Sequence, residues 1–410
     1  MKINKLTSMK RAILFALLCI SFAATTQAQL AIQAETVYPV SGMPIREATI
    51  LVKDGKIEKL GKSSEIRIPA GYQLLKAKAV TPGLIDARTV VGLSGALNVP
   101  ADQDQLEKSS PIQPELRAID AYNPDETLVQ SLRQYGVTTI HTGHGIGALV
   151  SGQTMVIKTQ PGTVEENVLQ PLSMLAMTIG PSVSGNFSSP GTRAKQMAQL
   201  RSELFKAQDY RQKKLDKDST KRPASDLKME ALSKLLSGEI KGLITANSSI
   251  DIMNAIRLQK EFGFKLVLDG AAEAYRLIPQ IKTAHAEIIL HPTMARNEGD
   301  KGNLTRESAS ILMQAGFPVS IESGYEGYVP KTRVVLFEAA QAITYGLSVE
   351  NALRSITLNP AQLLGISDRV GSIEAGKDAD LVLYDGEPFE YLTHVCTVII
   401  NGKIVSDQCY

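Results

Sequence analysis

Apolar residues follow two different patterns along this chain, one at its ends and one in its middle. Near the N-terminus, residues 49–60 contain two short apolar runs around Asp54-Gly55, a dipeptide that predicts a tight β-hairpin. Residues 379–405 repeat this character, with a second turn signal at Asn401-Gly402. We therefore expect short strands at each end, and we expect the two ends to pack together as one small β domain.

The middle of the chain alternates helical patterns with short apolar runs. Pairs of a helix and a strand cover residues 126–141, 253–269, 272–291 and 306–322. Alternation of this kind predicts parallel strands joined by crossover helices. We expect an α/β fold with a closed (β/α)8 TIM barrel. An open doubly wound sheet is the second choice, because no Gly-x-Gly-x-x-Gly follows a strand.

The first residues have the form of a secretory signal peptide. Basic residues precede an apolar run at 12–24, and Thr26-Gln-Ala28 supplies small residues for cleavage. The apolar run is short for a membrane span, so an uncleaved anchor fits less well. We predict a signal peptide over residues 1–28, export to the periplasm or beyond, and no membrane span in the mature chain.

Composition and charge narrow the class of partner. The 410 residues are 43% hydrophobic and 21% charged, which is ordinary for a globular protein. Removing residues 1–28 leaves 40 basic and 42 acidic residues. This balance argues against a nucleic-acid-binding surface that depends on net positive charge. A small-molecule substrate or ligand is the expected partner, and the sequence does not determine the oligomeric state.

Two cysteines remain after the predicted cleavage, Cys396 and Cys409, on either side of the turn at Asn401-Gly402. In an exported protein the two thiols can oxidise to a disulfide. The sequence is equally compatible with two free thiols, so both states are left open.

Four stretches of the chain, in this order, resemble the amidohydrolase superfamily. They are Thr81–Asp86 (TPGLID), Gly136–Ile140 (GVTTI), Ala352–Ala361 (ALRSITLNPA) and Val370–Leu381 (VGSIEAGKDADL). Within that superfamily the chain is most similar to secreted, imidazolonepropionase-like metal-dependent hydrolases. The resemblance implies hydrolysis of C–N bonds outside peptides in a TIM barrel, beside a small β-sandwich formed by both termini.

The resemblance also implies where the domains begin and end. Residues 29–80 are expected to form the N-terminal part of the β-sandwich, residues 81–365 the barrel, and residues 366–410 the C-terminal part of the β-sandwich. In such a barrel the active site lies at the C-terminal ends of the strands.

The family's metal-binding positions depart from the pattern in this chain. The HxH pair of the first barrel strand is replaced by Arg88 and Val90. The remaining family positions fall at Ala176, at Thr245 or Asn247, near Asp269, and within Glu322-Ser323-Gly324. None of these positions carries a histidine, and a guanidinium at position 88 would repel a cation. No metal is therefore expected at the family positions, and the standard metal mechanism is not expected to operate.

Polar residues at the predicted strand ends are candidates for chemistry without a metal. Asp269 and Glu322 are the candidate general bases. Arg88 is expected either to hold a ligand's carboxylate or to fill the vacant metal position as one half of a buried ion pair. The acids expected within its reach are Asp86, Asp269 and Glu322. The other candidate ligand-binding residues at these strand ends are Thr245 and Asn247.

Histidines near the same strand ends offer a relocated metal site. His141 and His144 follow the second barrel strand, and His291 ends a later one. With Asp269 or Glu322 they would supply ligands that suit Zn²⁺ or another divalent cation. The alternative is that His141 is an inward-facing polar residue and His144 an ordinary loop residue.

Three hypotheses follow for the function. The first is an exported, amidohydrolase-like hydrolase of C–N bonds that lacks the family's metal ligands. The second is a catalytically inactive barrel, a pseudoenzyme, that binds a small ligand or a protein partner. The third is a metal enzyme with a relocated site at His141, His144 and His291.

Overall fold

The computed structural model describes residues 29–97, 99–324 and 334–410, and the predicted signal peptide lies outside them. Within these ranges the strands are β1 Leu30–Val37, β2 Ile45–Lys53, β3 Lys56–Lys62, β4 Gln73–Pro82, β5 Leu84–Thr89, β6 Val137–Thr142, β7 Val150–Gln153, β8 Met155–Lys158, β9 Val168–Gln170, β10 Met174–Thr178, β11 Lys241–Ala246, β12 Leu266–Gly270, β13 Glu287–Leu290, β14 Ser320–Ile321, β15 Leu381–Tyr384, β16 Val395–Ile400 and β17 Lys403–Ser406. The α-helices are α1 Thr127–Gln134, α2 Val164–Asn167, α3 Pro181–Asn186, α4 Arg193–Lys214, α5 Leu227–Ser237, α6 Ser249–Phe262, α7 Ile278–Thr283, α8 Ser308–Gln314, α9 Val334–Thr344, α10 Val349–Ser355 and α11 Leu358–Leu363. Short 3-10 helices cover Pro100–Asp102, Ala118–Asp120, Ser219–Lys221, Ala274–Arg276 and Gly299–Lys301.

Within the described residues, both ends of the chain form one seven-stranded sheet, in the order β17-β16-β15-β4-β1-β2-β3. The hairpin predicted at Asp54-Gly55 joins β2 to β3, and Asn401-Gly402 joins β16 to β17. The sheet folds back on itself, since the backbone amide of Ile57 on the edge strand β3 donates a hydrogen bond to the carbonyl of Lys377, which lies just before the inner strand β15 (2.9 Å). The composite β domain expected from both termini is confirmed.

Apolar side chains from both termini share the interior of this β domain. Ile32 and Ile50 from the N-terminal strands belong to the same buried cluster as Leu381 and Ile399 from the C-terminal strands. Burying a side chain of this kind fully contributes about 1.5–3 kcal/mol relative to leaving it exposed. Each terminus therefore supplies part of the core that stabilises the other.

Across the described part of the chain, eight strand positions form a ring: β5, β6, the run β7–β8, β10, β11, β12, β13 and β14. The run β7–β8 is continuous apart from Thr154, and it pairs with β6 through β8 and with β10 through β7. The ring closes where the backbone amide of Ser323, after β14, donates a hydrogen bond to Asp86 on β5 (3.1 Å). The predicted (β/α)8 barrel is confirmed.

One strand of the ring runs in a direction that the sequence pattern did not predict. The run β7–β8 is antiparallel to both of its neighbours, β6 and β10, whereas the alternating pattern predicted parallel strands throughout. Residues 143–149 connect β6 to this run. A parallel crossover needs about a dozen residues or more, so this short connection forces the chain to turn back.

The predicted helices are present, with local changes that their sequences explain. Helix α6 begins after Ser248, whose hydroxyl accepts a hydrogen bond from the amide of Asp251, and ends at Gly263 in the left-handed conformation (φ 77°). The helix predicted over 272–281 is interrupted, because Pro279 lacks an amide hydrogen and fits only the first turn of α7. Among the described helices, none is both long and apolar enough to cross a bilayer.

A buried charge cluster joins the barrel to the β domain. Lys158, the last residue of β8, donates hydrogen bonds to the carboxylates of Asp378 (2.8 Å) and Asp380 (3.0 Å). Both acids belong to the segment that leads into β15. This cluster therefore fixes the barrel strand against the domain formed by the two termini.

Cys396 and Cys409 form a disulfide that ties β16 to the tail after β17. Beside it, the backbone amide of Tyr410 donates to the carbonyl of Val395 (3.0 Å). The sequence left the state of the two thiols open, and the structure has them paired.

Candidate functional site

The C-terminal ends of the barrel strands enclose a small polar cavity of about 40 Å³. Its polar lining includes Arg88 from β5, Thr245 from β11, Asn247 after β11, Asp269 from β12, and Glu322 after β14. A wider cleft of about 730 Å³ adjoins the cavity and shares Thr245, Asn247 and Lys301 with it. Side chains from distant parts of the sequence meet here because all these strand ends lie at one face of the barrel.

Arg88 stands at the first family ligand position and is 4% exposed. Its guanidinium donates hydrogen bonds to two backbone carbonyls, that of Thr89 (2.8 Å) and that of His144. Burial lowers the pKa of Arg88, and the nearby carboxyl groups oppose this shift. The prediction that Arg88 forms one half of a buried ion pair was wrong, because no carboxylate of the described residues forms a direct ion pair with it. The loop after β6 brings the carbonyl of His144 to the guanidinium and takes that role.

Asp86 is fully buried and is held by the residue that closes the barrel. Its carboxylate accepts hydrogen bonds from the amide of Ser323 (3.1 Å), from the hydroxyl of Ser323, and from the amide of Arg88 (3.3 Å). Burial raises the pKa of Asp86 to about 6, against the lowering effect of these bonds. Asp86 is not among the described residues that line the cavity, so it acts on the site through Ser323 and Arg88.

Asp269 and Glu322 lie side by side in the cavity, 2% and 5% exposed. The hydroxyl of Thr245 donates to Oδ2 of Asp269, whereas Oδ1 accepts no hydrogen bond from an amide, hydroxyl or amino group of the described chain. Burial raises the pKa of Glu322 well above its ordinary value. The charge of Asp269 and a side-chain hydrogen bond to it raise that pKa further, while Arg88 opposes the shift. Burial and the neighbouring carboxylate therefore both favour the protonated form of Glu322.

Asn247 connects the cavity with the wider cleft. Its amide group donates to the carboxylate of Asp300 (3.0 Å), which fixes the orientation of the side chain. Its carbonyl oxygen, Oδ1, is buried beside Gly270 and has no donor among the described residues. Sequence reasoning missed Asp300 and Lys301, because both reach the site from a loop after β13. The only local signal for them was a charged, glycine-bearing stretch of the kind that many surface loops share.

The histidines do not meet at the mouth of the barrel. Both ring nitrogens of His141 are engaged, Nδ1 with the carbonyl of Ala87 (2.8 Å) and Nε2 with the hydroxyl of Thr154 (2.7 Å). His291 uses Nδ1 on the carbonyl of Pro292 (2.7 Å), while both ring nitrogens of His144 are buried without a partner among the described residues. Burial is the main cause that lowers the pKa of His144 and of His291 to about 4.

A relocated metal site needs several of these groups around one point, and the structure does not supply that arrangement. Across the described residues, three ligand atoms of His, Cys, Asp or Glu come within 4.8 Å of one another only at Asp385, Cys396 and Cys409. Two of these are the disulfide cysteines. The geometry therefore does not bring His141, His144 and His291 together as ligands.

The family's own metal positions do not fit a catalytic cation either. A Zn²⁺ site needs three or four imidazole, thiolate or carboxylate ligands around one point. Here a guanidinium fills the first position, and Val90 and Ala176 offer no ligand atom. The hydroxyl of Thr245 donates a hydrogen bond to the carboxylate of Asp269. These residues therefore do not make up the ligand set that a catalytic cation needs.

Several known proteins are similar to this chain. Residues 254–405 match the family model described as "Amidohydrolase family". The amidohydrolase tasK of Hapsidospora irregularis is 27% identical over 88% of this chain, which spans 40% of that protein's length. The imidazolonepropionase of Shewanella putrefaciens is 24% identical over 88% of this chain and 93% of its own length. The solved structure of an amidohydrolase from Thermotoga maritima superposes with a TM-score of 0.87 at 30% identity, over 92% of this chain and 100% of that one.

Proposed function

This chain belongs to the amidohydrolase superfamily, and we propose that it hydrolyses a C–N bond outside peptides without a metal at the family's ligand positions. The proposed site is the cavity at the strand ends together with the adjoining cleft. The hydrolase assignment follows from the family, whereas the bond type and the absence of the usual metal are the proposal.

One observation carries the metal-free part of the proposal. The guanidinium of Arg88 fills the first ligand position and is held there by the carbonyls of Thr89 and His144. A cation placed beside this group would be repelled, and the hydrogen bonds that hold the guanidinium would have to break to remove it. The same cavity still contains the acids Asp269 and Glu322, which are the candidates for general acid–base work.

The adjoining cleft suits a small polar substrate. It carries charges of both signs, from Arg296, Asp300 and Lys301, and a cavity of about 40 Å³ at its base accepts only a small reacting group. The unpartnered oxygens of Asn247 and Asp269 favour a ligand that presents N–H groups to the base of the cleft. Amides, ureas and related compounds have such groups beside the bond to be cleaved.

The second candidate function is a non-catalytic barrel that binds such a ligand and does not transform it. The replacement of the family's metal ligands favours this alternative, because the usual source of an activated water is missing. The two candidates differ in one measurable respect, which is whether the bound compound is consumed.

The test uses the mature chain, residues 29–410, purified after dialysis against a chelator. Metal content, saturable binding and turnover are measured with a panel of cyclic amides, linear amides and ureas. The proposal expects substoichiometric metal and turnover that the chelator does not reduce. Saturable binding without turnover would support the non-catalytic alternative. About one Zn²⁺ per chain, lost with His144→Ala, would overturn the metal-free proposal.

Export from the cytoplasm is also part of the proposal. Its supports are the signal-peptide pattern of residues 1–28 and the disulfide between Cys396 and Cys409, since disulfides persist in oxidising compartments. Thiol labelling of the denatured chain, taken from cell fractions, tests it. We expect a processed chain without free Cys396 or Cys409 in the exported fraction. An unprocessed, fully labelled chain in the cytoplasm would contradict the proposal.

A further inference from the structure

We propose that Asp269 and Glu322 form an acid–carboxylate pair that performs the proton transfers of hydrolysis in place of a metal-bound water. The inference rests on the proposed function, since it requires that the cavity takes the C–N substrate. It goes beyond that function by assigning a separate role to each of two acids that stand where the family has metal ligands.

The geometry of the two side chains supports the pairing. Both line the same small cavity and both are almost completely buried. Oδ2 of Asp269 is occupied by the hydroxyl of Thr245, which holds the carboxylate in one orientation. Oδ1 has no amide, hydroxyl or amino donor among the described residues, so it can accept a proton from Glu322, from water or from a ligand. A carboxylate that is held through one oxygen and can accept a proton on the other is suited to act as a general base.

Two adjacent carboxyl groups in a dry site cannot both ionise without a large free-energy cost, so the pair shares one proton in this proposal. Burial and the charge of the neighbouring Asp269 raise the pKa of Glu322, which favours Glu322 as the acid of the pair. The guanidinium of Arg88, which lines the same cavity, compensates the remaining negative charge. The pair therefore enters the reaction with an acid on one side and a base on the other.

The proposed reaction balances with water as the only co-reactant. Asp269 removes a proton from water while the oxygen of that water forms a bond to the carbonyl carbon of the substrate. Glu322 gives its proton to the carbonyl oxygen of the substrate. A neutral tetrahedral intermediate results. Asp269 then returns its proton to the leaving nitrogen as the C–N bond breaks. A hydroxyl proton of the intermediate goes back to Glu322, which restores the pair and leaves a carboxylic acid and an amine.

The other acid near the site cannot take either role. The oxygens of Asp86 are occupied by the amide and hydroxyl of Ser323 and by the amide of Arg88. Asp86 also lies outside the described lining of the cavity. Arg88 is a positioning residue in this scheme, because its bonds to two carbonyls hold its charge beside the pair.

The first test looks for the shared proton without any substrate. Infrared spectra of the mature chain at pH 7.5 are compared with those of a chain containing glutamate labelled with ¹³C at the side-chain carboxyl. We expect a protonated-carboxyl band that shifts on labelling, disappears in Glu322→Gln and moves in Asp269→Asn. Glu239→Gln is the matched control, because Glu239 is exposed and precedes β11 at the opposite end of the barrel. A missing glutamate band in the labelled wild type contradicts the pair even where a variant fails to fold, whereas a band that is present is assigned to Glu322 by its loss in Glu322→Gln.

The second test uses whichever amide or urea of the panel is turned over. Glu322→Gln and Asp269→Asn are each expected to lower kcat by about 100-fold or more, with a much smaller change in KM. The double variant is expected to lose little more than either single variant, since the two acids act as one unit. Glu239→Gln is expected to keep wild-type kcat.

The outcomes separate this inference from the proposed function. A missing glutamate band, or full turnover in Glu322→Gln, overturns the acid–carboxylate pair while hydrolysis by the chain still stands. A glutamate band together with binding and no turnover overturns the proposed hydrolase, and the catalytic role of the pair falls with it. The band, the turnover and the loss in both variants together support the pair.

Discussion

Ser323 donates two hydrogen bonds to the carboxylate of Asp86, one from its backbone amide (3.1 Å) and one from its hydroxyl. These bonds link the residue after the last barrel strand to the first strand, at the point where the ring closes. The carboxylate of Asp86 also accepts a hydrogen bond from the backbone amide of Arg88, and the side chain of Arg88 lines the same cavity as the candidate acids. The closure of the barrel and the position of Arg88 therefore depend on the same carboxylate.

The hydroxyl of Ser323 is expected to contribute measurably to stability. Ser323→Ala leaves one oxygen of a buried carboxylate without its donor, which costs about 1–3 kcal/mol of unfolding free energy. Urea unfolding of the chain from residue 29 to residue 410 measures the loss. Ser184→Ala removes an exposed hydroxyl that donates to the carbonyl of Pro181, and it is expected to change stability by less than about 0.5 kcal/mol. Equal losses in the two variants would contradict this account of the closure.

The ionisation of Asp86 is expected to destabilise the fold as pH rises. Burial raises its pKa from an ordinary value of 3.8 to about 6, so the folded chain holds a proton that the unfolded chain releases. This contribution is fully present below about pH 4 and is lost as pH rises through about 6, with a total on the order of 3 kcal/mol. In Asp86→Asn we expect that decline to disappear, because asparagine does not ionise. Its side-chain oxygen can still accept hydrogen bonds from the backbone amides of Arg88 and Ser323. Unfolding free energies measured between pH 4 and 7 test this, and an unchanged decline in the variant would contradict it.

The fold was largely predictable from local signals in the sequence. The predicted hairpin turns form at Asp54-Gly55 and at Asn401-Gly402. Both residues of each pair have positive φ (50° and 78°, 51° and 72°), which a two-residue type I′ turn requires and which Asp, Asn and Gly adopt readily. The direction of the run β7–β8 was not predictable from the apolar pattern. That pattern is the same for a parallel and an antiparallel buried strand, and only the length of the connection at 143–149 separates them.

The residues of the candidate site could be predicted from the sequence, but their hydrogen-bond partners could not. Positions such as Asp269 and Glu322 follow from the strand register, which places strand-end residues in one ring. The partners of Arg88 do not follow, because a long side chain selects among groups whose positions depend on loops. The carbonyl of His144 and the carboxylate of Asp300 both come from loops of this kind. Loop conformation depends on tertiary packing, and the periodicity of apolar residues in the sequence does not indicate it.

Restoring the family's HxH pair is expected not to restore a metal site. The double variant Arg88→His, Val90→His supplies two imidazoles, but Ala176 and Ser323 still stand at other family positions. Two ligands fall short of the three or four that Zn²⁺ requires for tight binding. We expect substoichiometric zinc after dialysis and no rise in Tm on adding zinc, with the single variant Val90→His as the control. About one zinc per chain, with a zinc-dependent rise in Tm, would show that the remaining residues complete a site.

At the junction between the barrel and the β domain, two lysines bond the carboxylate of Asp378 and differ in burial and in their other partners. Lys158 is 1% exposed and bonds Asp378 and Asp380, whereas Lys56 is 50% exposed and bonds Asp378 alone. Lys158→Met leaves the buried Asp380 without a counter-charge, and we expect it to lose about 3–5 kcal/mol of unfolding free energy. Lys56→Met is expected to lose less than about 1 kcal/mol, because Asp378 keeps Lys158 and Arg369 (2.8 Å).

The cause of that difference can be tested by a compensating change. Adding Asp380→Asn to Lys158→Met removes the buried charge that the first substitution leaves unpaired, while the asparagine still has an oxygen to accept the amide of Asn401 (2.8 Å). We therefore expect the double variant to regain a large part of the stability lost in Lys158→Met. Urea unfolding of the single and double variants measures the coupling. If the double variant is as unstable as the sum of its two single changes, the loss in Lys158→Met comes from packing of the lysine stem and not from an unpaired carboxylate.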